Sequence, residues 1–399
     1  MKVAKKLHYI KRYMKIWIAL VIFIYCILQR QYIISVLNNL TFHEDFDLEY
    51  FDVDDIDITE TIELSHLPNM ARIKRKTILD YKPGHRPCRH YPRNLKGNLT
   101  SNIKINVTQT LPWDVIESSI SRVYEGKFSP RNCKSRYNVA IIIPLRNRES
   151  QLKVLLAHMH PIWQRQNLDY TVYTITQAGE GLFNRAKLIN VGVSEATKEQ
   201  SYDCFVFHDV DLLLEDDRCL YWCDEENPRH ISMYMDKFAY EPLSYSTTCR
   251  PASFFLENII YYGGVSSMTP KQFNNVNGFS NFYWGWGGED DDMYFRLKTA
   301  GYDVSNPYGQ HCSFRMIAHE HESSNAENEA RYTLLYHAAS RMRKEGLNTL
   351  RYKLLSVKRF PLYVNITVDI GRPSMKMLKF MSRKMSWTEI CIARVPWRM

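Results

Sequence analysis

An α/β fold is predicted by two observations. Short apolar runs alternate with stretches of helical period, and an acidic pair stands at the end of one such run. The run VAIIIP at 139–144 is continuous and suits a buried parallel strand. Leu145, Arg146, Asn147 and Arg148 follow, then a helical pattern through Leu152, Val154, Leu155 and Leu156. Residues 170–175 read as a second strand. Residues 182–196 read as a helix carrying Phe183, Leu188, Ile189 and Val193, and residues 204–207 as a third strand. This alternation puts a nucleotide site at the carboxyl ends of the strands. Neither GxGxxG nor GxxxxGK[ST] occurs, so a dinucleotide or P-loop site is not expected.

At 399 residues the chain holds one large domain or two small ones. Its net charge of +9 is unevenly spread. Lys2, Lys5, Lys6, Lys11, Arg12 and Lys15 crowd the first residues without an acid, and six bases against Glu389 crowd 375–399. Residues 16–63 set ten acids against Arg30. No basic stripe with interleaved aromatics exists, which excludes a nucleic-acid partner. The modest surplus over 64–374 suits an anionic ligand such as a nucleotide diphosphate.

The apolar run at 16–28 is short for a membrane span but resumes at 32–37. No small-x-small cleavage site follows, and the bases precede it. Residues 16–37 are therefore expected to be an uncleaved signal anchor, with 1–15 cytosolic and the rest lumenal. A lumenal location permits disulfides among the nine cysteines. It also permits glycosylation at Asn39, Asn98, Asn106 and Asn365, each in an N-x-T sequon. Residues 38–82 are acidic or linker-like without a clean period and read as a stem. Pro83, Gly84 and Pro87 mark entry to a globular domain, 83–374, and a basic tail occupies 375–399.

Two stretches carry chemistry. Asp209 and Asp211, flanking Val210 directly after the third strand, can hold a hard divalent cation that bridges phosphate oxygens. Without its position, the same DxD would read as a solvated turn; the stem contains others. The second stretch, NFYWGWGGEDDDMYFR at 281–296, begins with a glycine- and tryptophan-rich loop able to move. Glu289, Asp290, Asp291 and Asp292 then open a helix with Met293, Phe295, Leu297 and Ala300 as apolar positions and Gly301 as its stop. Acids in a first turn are ordinarily a solvated face favoured by the helix dipole. Beside tryptophan they also suit a sugar, since indole stacks on sugar rings and carboxylates accept from hydroxyls. One carboxylate could serve as a general base, though the dipole is expected to lower its pKa and weaken it. Met316 reads as core by residue type, and His319 is an open candidate ligand among several nearby histidines.

The chain resembles the β-1,4-galactosyltransferase family, inverting Golgi enzymes of GT-A fold. The matching segments are IIIPLRNRES, LFNRAKLINVG, FHDVDLLLEDDR, PRHISMYMDKF, YYGGVSSMT, NGFSNFYWGWGGEDDD, RMIAH and GLNTLRYKLLSVKRFPLYVNITVDIGRP, in family order from about 133 to 373. The resemblance implies transfer of galactose from UDP-galactose to the 4-hydroxyl of a terminal GlcNAc, with Mn²⁺ held by Asp211, Met316 and His319. It implies donor contacts from Pro144, Arg146, Arg148, Phe183, Arg185, Asp209, Val210, Lys237, Tyr261 and the loop residue Trp286. Gly287, Gly288, Glu289 and Asp290 match acceptor positions, with Asp290 the catalytic base. Cys88 with Cys133, and Cys204 with Cys223, match the family disulfides. Tyr261 takes the place where an aromatic goes with galactose and a smaller aliphatic residue admits GalNAc. The alternatives are therefore a β-1,4-N-acetylgalactosaminyltransferase using UDP-GalNAc and an inactive sugar-binding homologue. The chain departs from the pattern in a longer connection at 239–260, in SSNAENEAR after His319 where the family has NEPNP, and in an unmatched tail. Cys219, Cys249, Cys312 and Cys391 have no family partner; a pairing of Cys249 with Cys312 is expected.

Overall fold

The computed structural model describes residues 86–100, 112–242, 244–245, 259–306, 310–318 and 325–373. All belong to one compact unit, Tyr81–Met399; the other unit, Met1–Asp80, lies outside the described residues. So do the expected anchor and stem, most of the 239–260 connection, the basic tail, Asn39, Asn106, Cys249, Cys391 and His319.

In chain order the strands are β1 (Lys127–Phe128), β2 (Asn138–Leu145), β3 (Asp169–Gln177), β4 (Cys204–His208), β5 (Leu212–Leu214), β6 (Arg229–His230), β7 (Tyr234–Met235), β8 (Ser244–Tyr245), β9 (Ile259–Ile260), β10 (Val265–Met268), β11 (Ser313–Met316), β12 (Lys353–Arg359) and β13 (Val364–Asp369). The helices are α1 (Trp113–Ser119), α2 (Glu149–Arg165), α3 (Arg185–Glu199), α4 (Pro270–Asn275), α5 (Glu289–Thr299), α6 (Arg331–Tyr336) and α7 (Ala338–Arg341).

The main sheet runs β12-β13-β3-β2-β4-β10-β6, with β1 also on β3. Its centre is parallel, β13 with β3, β3 with β2 and β2 with β4, as the apolar runs predicted. Strand β2 is buried on both faces, so its side chains alternate between two cores. Val139, Ile141 and Ile143 join Leu152, Leu155, Met159 and Trp163 of α2. Ala140 and Ile142 join Leu188 and Ile189 of α3. Helix α3 starts later than the expected 182–196. Its first residue is Arg185, because the Asn184 side chain accepts from the Lys187 amide and caps it there.

Strand β3 lies on one side of β2 and β4 on the other, so the connections diverge around β2 and open a crevice at the carboxyl ends of β2 and β4. A small sheet, β5-β11-β7, packs beside it. Three disulfides are present. Cys88 with Cys133 and Cys204 with Cys223 agree with expectation. Cys312 pairs with Cys219, which corrects the expected pairing with Cys249. The antiparallel register of β5 and β11 brings the segment after β5 alongside Cys312, which directly precedes β11.

Candidate active site

Strand β4 ends at His208, whose buried ring meets the Asp209 carbonyl at 2.7 Å and the Tyr221 hydroxyl at 2.9 Å. Burial pushes this imidazole down to about 4, so it is a neutral structural group. Beyond it the chain turns into β5, where Leu212 pairs with Met316 of β11. The Ile317 amide donates to the Asp211 carbonyl at 2.7 Å, and the Met316 amide donates to Asp236 Oδ1 at 2.9 Å. Asp211 and Met316, far apart in sequence, are thus neighbours on one ladder. The Asp211 carboxyl is pushed up to about 7, first by burial and then by the charge of Asp209, with Lys237 and Arg148 opposing. A carboxylate placed so unfavourably is short of positive charge, and the set fits a divalent cation. Among the described residues no group of three or more His, Cys, Asp and Glu side chains gathers as a metal cluster. Met316 is not such a residue, and His319 lies outside the described residues.

Arg185 joins this corner to the acidic helix. Its Nε donates to Asp209 Oδ1 at 2.6 Å and its Nη2 to the Gly264 carbonyl at 3.4 Å, while Nη1 lies 3.9 Å from Glu289 Oε1. Burial works against the guanidinium's charge, but Asp209, Glu289 and Asp290 outweigh it and raise its pKa above the ordinary arginine value. The two basic segments meet alongside. Arg146, buried, lies 5.0 Å over the Phe183 ring and donates to the Gly181 carbonyl. Pro144 sits near the end of β2 opposite Ile175, Arg148 precedes α2, and Val210 is half-buried between the two aspartates.

The glycine-rich loop is pinned from two sides. The Gly285 amide donates to the Phe183 carbonyl at 2.8 Å, and Trp286 exchanges backbone hydrogen bonds with Ala326 and Asn328. Gly285 has φ +88°, and a Cβ there would lie 2.4 Å from the Ala326 carbonyl oxygen, so only glycine fits. Trp284 is buried, whereas Trp286 is 39% exposed beneath the Arg331 guanidinium. Gly287 and Gly288, both at positive φ, lead into α5.

Helix α5 begins at Glu289, as expected, but its acids divide. Glu289 is pushed up to about 7, first by burial and then by Asp290, and its Oε2 has no hydrogen-bond partner among the described residues. Asp290 is raised by burial, against the lowering effect of Arg185. Asp291 is raised by burial and by both neighbours. Both carboxyls are thus raised, where a lowered pKa was expected at a helix start: burial is the main cause for each, with Asp290 adding to the rise at Glu289. Tyr261 packs edge-on to Phe238 at 5.5 Å and His230 at 6.1 Å. A Cβ on Gly263 would lie 2.3 Å from the Tyr261 hydroxyl and 2.4 Å from Asp290 Oδ2, so both crowd one glycine.

Asp292 turns away, and with Arg296 it fills the interior where Phe295 and Ala300 were expected; Phe295 is half-buried and Ala300 exposed. Arg296 Nε donates to Asp292 Oδ1 at 2.6 Å and its Nη2 to Glu345 Oε1 at 2.7 Å. Arg341 Nη2 donates to Asp292 Oδ2 at 2.6 Å, and its Nη1 pairs with Glu345 Oε1. Four charges thus close a buried ring of alternating sign. Each half was visible as an i,i+4 pair, Asp292 with Arg296 and Arg341 with Glu345, but nothing local joins them.

Of the sequons, Asn98 is exposed, its side chain accepting from the Thr100 amide and hydroxyl. Asn365 lies within β13, half-buried, and accepts from Thr174 and Thr176 of β3. The nearest thing to a membrane span, the 16–37 segment, is not among the described residues, where no helix is long and apolar enough to cross a membrane.

Residues 88–224 match the N-terminal region of glycosyl transferase group 7, and residues 244–320 match a region described as the N-terminal domain of galactosyltransferase. Over 248 residues the chain is 49% identical to mouse β-1,4-galactosyltransferase 1, covering 62% of this chain and 58% of that protein. It is 46% identical over 246 residues to β-1,4-galactosyltransferase 3 of Cricetulus griseus, covering 62% and 59%. The chain therefore spans less than two thirds of the length of these relatives. The catalytic domain of Drosophila β1,4-galactosyltransferase 7, solved with xylobiose, is 26% identical with a TM-score of 0.49, covering 61% of this chain and 98% of that one.

Proposed function

The chain belongs to the β-1,4-galactosyltransferase family, and we propose that it is an inverting glycosyltransferase of GT-A type. It would move galactose from UDP-galactose to the 4-hydroxyl of a terminal GlcNAc on a glycoprotein or glycolipid. The observation that carries this reading is Arg185: one guanidinium holds Asp209 on the strand-end side and faces Glu289 on the helix side. A nucleotide-sugar and an acceptor bound to these two corners would meet over Gly263, beside Asp290.

Asp211 and Met316, with His319, would hold Mn²⁺. A manganese ion bound there supplies charge neutralisation for the diphosphate leaving group. The chain's residues do the rest. Arg146 and Arg148 bind the diphosphate, Phe183 packs on the nucleotide side, and Lys237 and Val210 line the sugar pocket. Trp286 covers the donor and excludes water, which would otherwise hydrolyse it. Glu289 orients the acceptor, with the Gly287 and Gly288 backbone beneath it. Asp290 takes the proton from the acceptor 4-hydroxyl as that oxygen bonds to the anomeric carbon from the face opposite the departing UDP. The carbon–oxygen bond to the diphosphate breaks in the same displacement, so configuration inverts. The raised pKa of Asp290 makes it a better proton acceptor than an ordinary carboxylate.

Tyr261 supports galactose. Its ring is fixed between Phe238 and His230, so it cannot swing aside to admit a bulky C2 substituent without repacking both. On this reading the catalytic domain would lie in the Golgi lumen, with 16–37 as its anchor. The test is a donor comparison on the full chain with Mn²⁺ and a GlcNAc-terminated acceptor. UDP-galactose is expected to be preferred, and Tyr261→Ile is expected to shift preference toward UDP-GalNAc. Preference of the unaltered chain for UDP-GalNAc would overturn the assignment of the donor. No transfer from either donor, with UDP still bound, would point to the inactive sugar-binding homologue.

A further inference from the structure

Among the described residues, Arg341 does something that neither the acceptor pair nor the donor corner explains. Segment 280–292 contains the glycine-rich loop, Trp286, Glu289 and Asp290. Arg341 contacts both its ends. Its Nη1 donates to Ser280 Oγ at 3.0 Å, and its Nη2 donates to Asp292 Oδ2 at 2.6 Å. The same Nη2 reaches the Leu334 carbonyl at 2.9 Å, anchoring the clamp to α6. The guanidinium carbon also lies 5.8 Å from the Phe282 ring centroid and 6.0 Å from that of Tyr283, inside the segment.

Its ring partners repeat the pattern. Glu345 accepts from Ser280 Oγ at 2.6 Å and from the Asn281 amide at 3.0 Å, and Tyr283 donates to Asp292 Oδ2 at 2.9 Å. Asp292 and Arg296 are fully buried, and Arg341 and Glu345 nearly so. Two cations and two anions balance, so the ring tolerates burial; removing one cation would leave an uncompensated buried carboxylate.

We propose that Arg341 is a positioning residue for the transfer reaction, clamping both ends of segment 280–292 so that Glu289 and Asp290 are presented in a preorganised way while the glycine-rich loop carrying Trp286 between those ends stays able to move. This rests on the transferase reading above. Arg341 touches neither substrate nor Asp290 itself; it acts through Asp292 and Ser280. Its planar fork puts donors on separate nitrogens and so lets one side chain serve both ends, whereas the three donors of lysine radiate from a single nitrogen and do not span the same distance. Misplacing a reacting group by about 1 Å costs on the order of 100-fold in rate.

The test compares full-length wild type, Arg341→Lys and Arg341→Met in two assays. Amide hydrogen exchange is read over 280–292 and, as an internal reference, over β2 and β4. Steady-state transfer from UDP-galactose is read alongside UDP affinity. Arg341→Lys is expected to keep reference exchange and UDP affinity within twofold, speed exchange over 280–292, and lower kcat about 10- to 100-fold. Arg341→Met is expected to do the same more severely. If Arg341→Lys leaves segment exchange and kcat within twofold of wild type, the clamp is wrong. If exchange rises equally in 280–292 and in the reference strands, Arg341 is a general stability residue and the proposal is overturned. A wild type that transfers no sugar, from UDP-galactose here or from UDP-GalNAc in the donor comparison above, refutes the transferase reading, and with it the positioning role. The exchange comparison then still reports whether the clamp itself exists, so the two failures are told apart.

Discussion

The site has two acidic regions, and they are held by different means. Asp209 and Asp211, at the end of β4, are held by backbone: the Asp209 amide donates to Gly264 and the Asp211 carbonyl accepts from Ile317. Arg185 pairs with the Asp209 carboxylate, while the Asp211 carboxyl is raised to about 7 by burial and then by Asp209. At the start of α5 it is side chains that hold Asp292, and Arg185 that faces Glu289. Asp292 is spent on a buried ring with Arg296, Arg341 and Glu345, three residues after Glu289 and two after Asp290. A strand end presents carboxylates through local geometry. A helix start must recruit distant partners, because its own first turn leaves acids solvated or mutually repelling.

The comparison breaks most sharply at the helix. Asp290→Asn should abolish most transfer, on the order of 10²- to 10⁴-fold in kcat, with UDP and Mn²⁺ affinity unchanged. Initial-rate kinetics beside calorimetric titration of UDP and Mn²⁺ would check this. An equal loss of Mn²⁺ binding would show that the two regions are not separable.

Next is the strand end. Mn²⁺ at about 100-fold its Kd should stabilise the wild type by about 2.7 kcal/mol, read as a rise in Tm, and Asp211→Asn should lose most of that rise. A rise of the same size in Asp211→Asn would remove Asp211 from the ligand set.

The smallest expected effect is on pH. Because Glu289 is pushed up to about 7 and Asp290 is raised with it, the pair holds a proton well above the usual carboxylate range. kcat/KM should therefore fall as pH drops through about 7, by about tenfold per unit below that limb. Glu289→Gln removes a like charge and should move the limb to lower pH. The sign for stability is opposite: between 4.5 and about 7 the folded Glu289 keeps a proton that the unfolded chain releases. Its contribution to stability thus declines as pH rises through that window. A limb that stays put in Glu289→Gln would show that the two carboxyls titrate independently.

Much of this was legible locally. Strand β2, the start of α5 and the position of Asp209 and Asp211 follow from hydrophobic runs and glycine punctuation, because a strand buried on both faces and a helix entered through glycines declare themselves within a few residues. Three things were not legible. The partner of Cys312 depends on which segment the antiparallel register of β5 and β11 brings alongside, and no sequence spacing encodes that. The raised pKa of Glu289 and Asp290 comes first from burial, which a sequence does not show. The ring around Arg341 exists only where α5 meets α7. Short-range patterns suffice for the α/β layout and for the chemistry-bearing side chains. Which acids face the site and which support it follows from packing, since burial and ion pairing are properties of elements brought together from afar.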